Sequence, residues 1–371
     1  MTDKYLYLVW ITCASNFSPT VREFLELYSP EEIYSFSYDD MLERGFSPAL
    51  SEKLSDKRLK RAERILEVCR RKNIYLIPYN SSFYPKKLKS VKDAPLILYV
   101  KGLIDTLDTG VKIGFVGTRR VSDTGERFAR HLAGNLVQMG ALLITGGASG
   151  CDTFALQSAV SKGKGCVAVL GCDIDRYYPS TNYALFEHVT QVGLVISEYP
   201  PETCARYFPY RNRIIAALSD RLVVAAAPEK SGALITADYA FKYGVPVFAP
   251  DFAGEEYAGC RKLVGAGAYT IESAEHIIKT DKPIETNVKI IKKKREHHPL
   301  CFKKVTKQKP VRKEFSDSCE EYVYNCILNG KNTLEHMAQG EFTVPMILTS
   351  LSMLEMSGVI ECEAGGQYNL K

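Results

Sequence analysis

The segment YFPYRNRIIAALSD, at residues 207–220, places Arg211 and Arg213 at the entrance of an apolar run. A guanidinium keeps its charge at any physiological pH, so each arginine needs an anionic partner or a solvated position. Two kinds of partner are open from the sequence: a carboxylate of the protein, such as Glu198 or Asp220, or the phosphate of a ligand. The first would make the arginines structural, and the second would make them a binding site.

Aromatic side chains surround the same arginines. They are Tyr207, Phe208 and Tyr210. Aromatic rings stack on unpaired bases while arginines hold phosphates, and sites for single-stranded nucleic acid combine the two. The segment therefore predicts contacts with a single strand from four residues: Phe208, Arg211, Asn212 and Arg213. Within the arginine pair, we expect one side chain to face the ligand and the other to hold a carboxylate.

Glycine and small polar residues follow four strand-like runs. The four segments are GTRR (117–120), TGGASGCD (145–152), GCDIDRYYP (171–179) and PEKSGALITA (228–237). Glycines let backbone amides approach a ligand, and helix N-termini favour anions. A tight turn from strand to helix also needs glycine, but four such loops at one sheet edge favour binding. The candidate contacts are Gly117, Thr118, Arg119, Gly146, Gly147, Ser231, Gly232 and Thr236.

The sequence lacks the common catalytic and metal-binding patterns. It has no G-x-x-x-x-G-K-[ST] phosphate loop, no G-x-S-x-G elbow and no H-E-x-x-H zinc pair. The group HHPLC (297–301) lies in a charge-rich stretch, so we expect neither a metal nor a cofactor. We expect a binding protein and not an enzyme.

One enzymatic alternative stays open: a nucleotide-processing Rossmann enzyme that cleaves N-glycosidic bonds, like the phosphoribohydrolases. That chemistry needs a carboxylate beside the developing positive charge of the sugar. Tyr239 stands where the corresponding loop would carry a glutamate. The replacement would have to come from Asp152, Asp173 or Glu198.

Strand-like apolar runs alternate with helix-length segments from Lys112 onward. The runs are KIGFVG, ALLITGG, CVAVLG, LVISE, RLVVAAAP and VPVFAP. Continuous apolar strands separated by amphipathic helices indicate a parallel sheet that is covered on both faces. The sequence predicts an α/β fold with a doubly wound, extended Rossmann-like sheet at residues 106–285.

Smaller domains are predicted on both sides of this sheet. Residues 1–80 carry apolar positions at helical spacing, typical of a small helical domain of the SAM or helix-hairpin kind, with a bridge to residue 105. A basic linker is predicted at 286–314. Residues 315–371 read as helices followed by a glycine-turned hairpin, the pattern of a winged helix. Its last helix, VPMILTSLSMLEM, has no Lys or Arg, which favours a structural or protein-binding role.

Positive charge is concentrated in the linker. The 371-residue chain has a net charge of +5, yet residues 289–313 hold eleven Lys or Arg against one acid, Glu296, and the remainder is net −5. The basic tract fits a solvated linker that can also attract phosphates. Nucleic-acid binding by the rest of the chain must therefore come from local clusters of charge.

Cysteine usage and hydropathy predict a cytoplasmic protein. Eleven cysteines are scattered without a C-x-x-C pair, which favours reduced thiols. No apolar run reaches the roughly 20 residues that a membrane span needs. The stretch YLYLVWITCA (5–14) lacks a cleavage pattern and predicts a buried helix instead of a signal peptide.

Six motifs in order resemble the DNA-processing protein A (DprA/Smf) family. They are FVGTRRVSDTG, ITGGASGCD, VLGCDIDRYYPSTN, VISEYPP, FPYRNRIIAALSD and SGALITADYA, within residues 75–270. The resemblance implies an extended Rossmann domain that binds single-stranded DNA and protects it. It also implies loading of the RecA recombinase on incoming DNA in natural transformation, and a homodimer.

Four residues depart from the pattern of that family. They are Ser149, Leu156, Asp251 and Arg261, where arginine, histidine, glycine and asparagine are usual. Loss of an arginine at Ser149 is expected to weaken one anion-binding loop. Arg261 is expected to add positive charge nearby.

Overall fold

The computed structural model describes residues 4–203 and 207–280 and, with short gaps, residues 318–370. The chain divides into two compact units, Met1–Leu300 and Cys301–Lys371. The predicted linker at 286–314 and the HHPLC group lie outside the described residues. Among the helices that are described, none is long and apolar enough to cross a membrane.

A nine-stranded sheet forms the centre of the first unit. Its strands are β1 (Tyr75–Pro78), β2 (Ile97–Gly102), β3 (Lys112–Val116), β4 (Leu142–Thr145), β5 (Cys166–Leu170), β6 (Leu194–Ser197), β7 (Arg221–Val224), β8 (Val247–Ala249) and β9 (Tyr269–Thr270). They lie in the order β1-β2-β6-β5-β4-β3-β7-β8-β9. The run from β6 to β9 is parallel, whereas β2 pairs with both β1 and β6 in antiparallel fashion.

Burial explains why these strands form a parallel sheet. Residues in β4, β5, β6 and β7 are buried at every position, so both faces of the sheet are covered. Side chains alternate between the two faces of a strand, so a strand covered on both sides has to be apolar throughout. The predicted α/β fold is confirmed, with an antiparallel extension, β1 and β2, on one edge.

Helices cover the sheet. They are α8 (Asp123–Gln138), α9 (Cys151–Val160), α10 (Tyr183–Val192), α11 (Phe208–Leu218), α12 (Gly232–Lys242), α13 (Ala258–Gly265) and α14 (Ala274–Lys279). Helix α8 packs against α9, and α11 packs against α12. Both α9 and α11 contact the central strands β3, β4 and β5. Each helix that follows a strand therefore begins at the carboxyl edge of the sheet.

Short helices make up the N-terminal part of the chain. They are α1 (Leu6–Ala14), α2 (Val21–Leu25), α3 (Pro30–Ser35), α4 (Tyr38–Glu43), α5 (Pro48–Leu54), α6 (Lys60–Arg71) and α7 (Lys86–Lys89). Ser29, Ser37 and Ser47 cap α3, α4 and α5 with their side chains. One hydrophobic core runs from Leu6 in α1 to Ile277 in α14. These helices thus share a core with the sheet, and a domain boundary at residue 80 stays a prediction.

The second unit has its own hydrophobic core. Its described elements are α15 (Ser318–Leu328), α16 (Leu334–Met337) and an antiparallel pair, β10 (Ile360–Cys362) and β11 (Tyr368–Leu370). Its core includes Val323, Met337, Ile347, Leu351 and Leu354. The glycine turn at 365–366 lies outside the described residues, and the winged-helix assignment stays a prediction.

Candidate nucleic-acid interface

A cleft of about 990 Å³ lies at the carboxyl edge of the sheet. Its walls include residues 116–122 at the end of β3, residues 208, 209, 211 and 212 at the start of α11, and residues 230–233 where α12 begins. From β3 the chain adds strands outward to β6 and then returns to place β7 on the other side of β3. The cleft therefore lies at the point where the strand order reverses, where doubly wound sheets bind their ligands.

Gly117 packs closely against α9 in the loop after β3. A Cβ at Gly117 would lie 2.5 Å from Sγ of Cys151 in α9, so glycine allows the helix to approach the loop. The Thr118 amide donates to the Ala226 carbonyl at 2.7 Å, and the Thr118 hydroxyl donates to the Arg120 carbonyl at 3.1 Å. These bonds hold the turn at the end of the strand and leave the arginine side chains outside it.

Arg119 and Arg120 are exposed and line the cleft. Neither guanidinium makes a hydrogen bond or ion pair with the residues that the structure describes. Lys230, just before α12, also lines the cleft and is exposed. These three exposed cations are available to an anionic ligand. Sequence analysis named Arg119 but missed Arg120 and Lys230, although each is adjacent to a residue that it named.

Arg211 lies at the base of the cleft and is only 6% exposed. Its Nη1 donates to the carbonyls of Gly146, at 3.0 Å, and Val169. Burial lowers the pKa of this guanidinium from its ordinary value, and the Asp152 carboxylate offsets part of that effect. Arg211 therefore joins α11 to the ends of β4 and β5, and only a small part of it reaches the cleft.

Asp152 completes this buried cluster. Its Oδ2 accepts hydrogen bonds from the amides of Gly146, at 3.0 Å, and Ala148, at 3.3 Å. Burial raises the pKa of the Asp152 carboxyl, while Arg211 and the backbone amides act in the opposite direction. A carboxylate of the protein thus occupies amides that we expected a phosphate to use.

Gly146 and Gly147 lie in close contact with buried side chains, and their contact with nucleic acid stays a prediction. A Cβ at Gly146 would lie 2.5 Å from Nη2 of Arg211. Gly147 has φ +67°, and a Cβ there would lie 2.5 Å from the ring of Phe186. The Gly147 carbonyl accepts a hydrogen bond from Asn182 at 3.0 Å. Both glycines let buried side chains approach the loop.

Arg213 lies in the protein interior, and its contact with nucleic acid stays a prediction. It is 1% exposed, and its Nη2 donates to Oε1 of Glu198 at 2.6 Å. Its Nε donates to the Asp93 carbonyl at 3.1 Å, and its guanidinium lies 3.8 Å from the ring centroid of Tyr210. Burial alone would lower the pKa of Arg213, but Glu198 raises it above its ordinary value. Residues two apart on a helix point in directions about 200° apart, so Arg211 and Arg213 cannot share one side of α11.

Five other predicted residues line the cleft, at the starts of α11 and α12. Asn212 donates to the Gly232 carbonyl at 3.3 Å and so connects α11 to α12. Ser231 caps α12 by accepting from the Ala233 amide at 3.3 Å. Gly232 is exposed, whereas Thr236 is 1% exposed and belongs mainly to the core. Phe208 is half-buried at the rim.

Acidic side chains form another part of the cleft wall. Glu255 and Glu256 both line it, and sequence analysis missed them because they come from a loop more than 130 residues after β3. The Ser122 amide donates to Oε1 of Glu256 at 2.9 Å, and the Ser122 hydroxyl donates to Oε2 at 2.6 Å. Glu256 thus satisfies the N-terminus of α8 and adds negative charge to the cleft.

The four departures from the family pattern have different surroundings. Ser149 is exposed beside the cleft and Asp251 is exposed, whereas Leu156 is fully buried in the core. Arg261 donates to the carbonyls of Phe252 and Gly254, the latter at 2.9 Å. Arg261 therefore shapes the loop that carries the two glutamates.

The carboxylates considered for an enzyme are engaged inside the protein. Asp152 accepts backbone amides, Glu198 pairs with Arg213, and Asp173 accepts the Thr203 hydroxyl at 2.6 Å. Tyr239 stacks on Tyr243 with ring centroids 5.9 Å apart.

The model of the family described as DNA recombination-mediator protein A matches residues 75–281, which is more than half of the chain. The chain belongs to this family. The resemblance predicted from the six motifs is thereby confirmed. Within the DNA recombination-mediator protein A family, DNA processing protein DprA of Bacillus subtilis is 38% identical over 218 residues, which cover 58% of this chain and 73% of that protein. Protein Smf of Synechocystis sp. is 37% identical over 246 residues, or 63% of this chain and 61% of that protein.

Solved structures of family members share the fold. The X-ray structure of DNA processing protein A from Streptococcus pneumoniae superposes with a TM-score of 0.66 at 26% identity, covering 75% of this chain and 98% of that one. DNA processing protein A from Helicobacter pylori superposes with a TM-score of 0.51 at 32% identity, covering 55% and 94%. The Helicobacter pylori protein binds single-stranded DNA.

Proposed function

We propose that the chain binds single-stranded DNA in the cleft between β3 and β7. The observation that carries the proposal is the pair of exposed guanidiniums, Arg119 and Arg120, which have no protein partner in the described part of the chain. Two adjacent exposed cations suit the repeated charges of a phosphate backbone. The single-stranded DNA bound by the Helicobacter pylori relative supports the same ligand.

Aromatic side chains at the rim favour a single strand over a duplex. Phe208 is half-buried at the edge of the cleft, close to the arginines. Its ring can stack only on a base that is not already stacked in a helix. Arginines hold phosphates and rings accept any base, so binding is expected to depend little on sequence.

In this proposal the protein is a recombination mediator that protects incoming DNA and helps to load RecA during natural transformation. Membership of the DNA recombination-mediator protein A family supports that role. A homodimer and a cytoplasmic location belong to the same proposal, and buried cysteines without disulfides, such as Cys151 and Cys166, suit a reducing compartment. The proposed domains are 1–80, 106–285 and 315–371, with the basic segment 286–314 as a tether that attracts phosphates.

The test is equilibrium binding of the full chain to oligo-dT and to duplex DNA of equal length, over a range of salt concentrations. We expect oligo-dT to bind more tightly. Arg119→Ala should weaken that binding by about 10- to 150-fold, because a hydrogen bond to a charged group is worth about 1.5–3 kcal/mol. Its melting temperature should stay unchanged, since Arg119 is exposed.

The matched control is Arg127→Ala. Arg127 is an exposed arginine of α8 that does not line the cleft. Equal loss of affinity in both variants would show that only bulk charge matters. Duplex binding as tight as single-strand binding would contradict the proposed function itself.

A further inference from the structure

Positive charge is concentrated on helix α6 and its flanks. Residues 57–72 hold eight Lys or Arg against two acids, whereas the chain outside residues 289–313 is net −5. The buried residues of α6 are Ala62, Ile65, Leu66, Val68 and Cys69, and each of its charged residues is exposed. The solvent side of α6 is therefore basic in a chain that is otherwise acidic outside its linker.

Helix stability does not account for the cations at the start of α6. Lys60 and Arg61 lie in the first turn, where the helix dipole disfavours positive charge. Lys60 and Arg64 are four residues apart, and two like charges at this spacing destabilise a helix. By contrast, α3 and α4 have acidic first turns, which include Glu31 and Asp39. The cations at the start of α6 cost the helix stability, which indicates a role outside the helix.

Two ion pairs hold α6 at the carboxyl edge of the sheet. Nε of Arg64 lies 2.5 Å from Oε2 of Glu202, in the loop after β6. Nζ of Lys72 lies 2.8 Å from Oδ2 of Asp175, in the loop after β5. Because β5 and β6 are parallel to β3 and β4, these loops leave the sheet at the same edge as the loop after β3. Helix α6 therefore lies along the edge that holds the cleft.

The distance from the cleft to α6 suits a single strand of ordinary footprint. Strands β3 and β6 are separated by β4 and β5, so their ends are three strand spacings, or about 14 Å, apart. The 12 residues of α6 extend for about 18 Å. Sites for single strands commonly cover about 4–16 nucleotides. A strand that fills the cleft and continues along this edge meets α6 within such a length.

Lys60, Arg64, Glu67 and Arg71 share one side of α6, because residues three, four and seven apart in a helix lie one above the other. All four are exposed. Arg64 reaches Glu202, so this side of the helix borders the loops of the carboxyl edge. Lys60 and Arg71 form no hydrogen bond or ion pair with the residues that the structure describes. Two cations beside the edge loops are thus available to an anion.

We propose that Lys60, Arg64 and Arg71 form a second phosphate-binding surface, which holds single-stranded DNA where the strand leaves the cleft along the carboxyl edge. This inference rests on the proposed function and extends its binding site to α6. The pair of Arg64 with Glu202 is exposed, with side chains 70% and 36% accessible, and an exposed pair of this kind is exchanged for a phosphate at little cost. Phosphate contacts carry no sequence information, so the surface accepts any sequence. It adds affinity only for strands long enough to reach it.

The test compares two double variants of the full chain that each remove two positive charges. One is Lys60→Ala with Arg71→Ala, and the control is Lys162→Ala with Lys164→Ala. Lys162 and Lys164 are exposed and follow the last turn of α9, which starts at the carboxyl edge and therefore ends at the opposite one. Affinity is measured for oligo-dT in a series from about 4 to about 24 nucleotides, which spans the usual footprints. Melting temperatures should stay unchanged, since all four side chains are exposed.

The Lys60→Ala, Arg71→Ala variant should bind the shortest strands as wild type does and lose affinity as the strand lengthens. Two lost phosphate contacts lower the log–log salt slope of single-strand binding by about 1.4, which changes the affinity ratio about sevenfold between about 50 and 200 mM salt. We therefore expect the longest strand to bind about sevenfold more weakly at about 50 mM salt and nearly as well as wild type at about 200 mM. The control variant should match wild type at every length.

A variant with the opposite charge change protects the test against loss of folding. Glu67 is exposed between Arg64 and Arg71 on the same side of α6. Glu67→Gln removes a negative charge that repels phosphates, so it should raise affinity for the longest strand by up to about threefold at low salt. The shortest strands should show no gain. Unfolding cannot produce a gain of affinity, so this result is decisive even if the double variant melts earlier.

Several results would overturn the second surface. Unchanged affinity of the α6 double variant for the longest strand would do so, as would an equal loss at every length. An equal loss in the Lys162→Ala, Lys164→Ala variant would mean that only net charge matters. If Arg119→Ala weakens binding at all lengths while the α6 variant has no effect, the proposed function stands and the second surface fails. If wild type does not prefer single strands, the proposed function fails as well.

Discussion

Removal of the Arg213 guanidinium should destabilise the protein severely. The Arg213→Ala variant would leave Glu198, which is 4% exposed, without the partner that lies 2.6 Å away. Oε2 of Glu198 already has no hydrogen-bond partner among the described residues, so no second donor is in place to compensate. Loss of one partner from a buried ion pair costs about 3–5 kcal/mol. For a protein of this size, that loss corresponds to a fall in melting temperature of roughly 4–8 °C.

The free energy of unfolding of the full chain is measured by urea unfolding, with the intrinsic fluorescence of the protein as the signal. A double variant, Arg213→Met with Glu198→Leu, serves as the control because it removes both charges and fills the space with apolar atoms. We expect it to regain at least half of the lost free energy of unfolding, since apolar replacements of buried ion pairs are often neutral or stabilising. At temperatures where Arg213→Ala is folded, its affinity for oligo-dT should equal that of wild type.

Two results would refute this reasoning. A loss below about 1 kcal/mol in Arg213→Ala is the value for an exposed ion pair and would mean that water reaches Glu198. A large loss of DNA affinity without a loss of stability would place Arg213 at the interface, where the sequence first suggested it.

Three further predictions concern the loop glycines, the charge of the cleft and pH. Gly147→Ala should lower the free energy of unfolding by about 1–3 kcal/mol more than Gly163→Ala does. Both glycines have positive φ, but only a Cβ at Gly147 would lie 2.5 Å from a buried phenylalanine ring. Urea unfolding of the two variants measures the difference. Glu256→Gln should raise oligo-dT affinity by up to about fivefold at low salt, with the gain shrinking as salt is added; a loss of affinity would mean that this carboxylate organises the site. Burial alone would raise the pKa of Asp220, yet its hydrogen bond from Lys87 holds that pKa below its ordinary value. The ionised Asp220 therefore stabilises the folded protein at neutral pH, and this stabilisation is lost as the pH falls below about 4. Lys87→Met should therefore be less stable than wild type near pH 7, with the difference in unfolding free energy narrowing in acid; a constant difference would contradict the assignment.

Much of the fold was predictable because the signals are local. Apolar runs such as CVAVLG have to be strands buried on both faces, and the spacing between them leaves room for a helix each time. Glycine and small polar residues at the strand ends marked the edge where the cleft is found. The antiparallel strands β1 and β2 were harder to place, because pairing to a distant strand such as β6 leaves no periodic signal in the sequence.

Only the structure shows how the roles of Arg211 and Arg213 differ. Sequence analysis offered two partners for each arginine, a carboxylate or a phosphate, and helical geometry required the two side chains to point apart. Whether Arg211 or Arg213 would turn toward the cleft depended on which side of α11 faces the sheet edge. The structure places Arg211 against the carbonyls of Gly146 and Val169 and Arg213 against Glu198.

The sequence by itself determined the class of fold, the family and the sheet edge at which ligand-binding residues gather, because these follow from hydrophobic period and from motifs a few residues long. Only the tertiary structure decided which polar groups remain available there. Amides of the loop after β4 are already used by Asp152, and Glu256 reaches the N-terminus of α8 from a distant loop. Arg119 and Arg120 stay exposed and form no ion pair in the described part of the chain, although Glu255 and Glu256 line the same cleft. Whether a polar group can contact a ligand depends on its neighbours in three dimensions, and a short sequence pattern does not specify these neighbours.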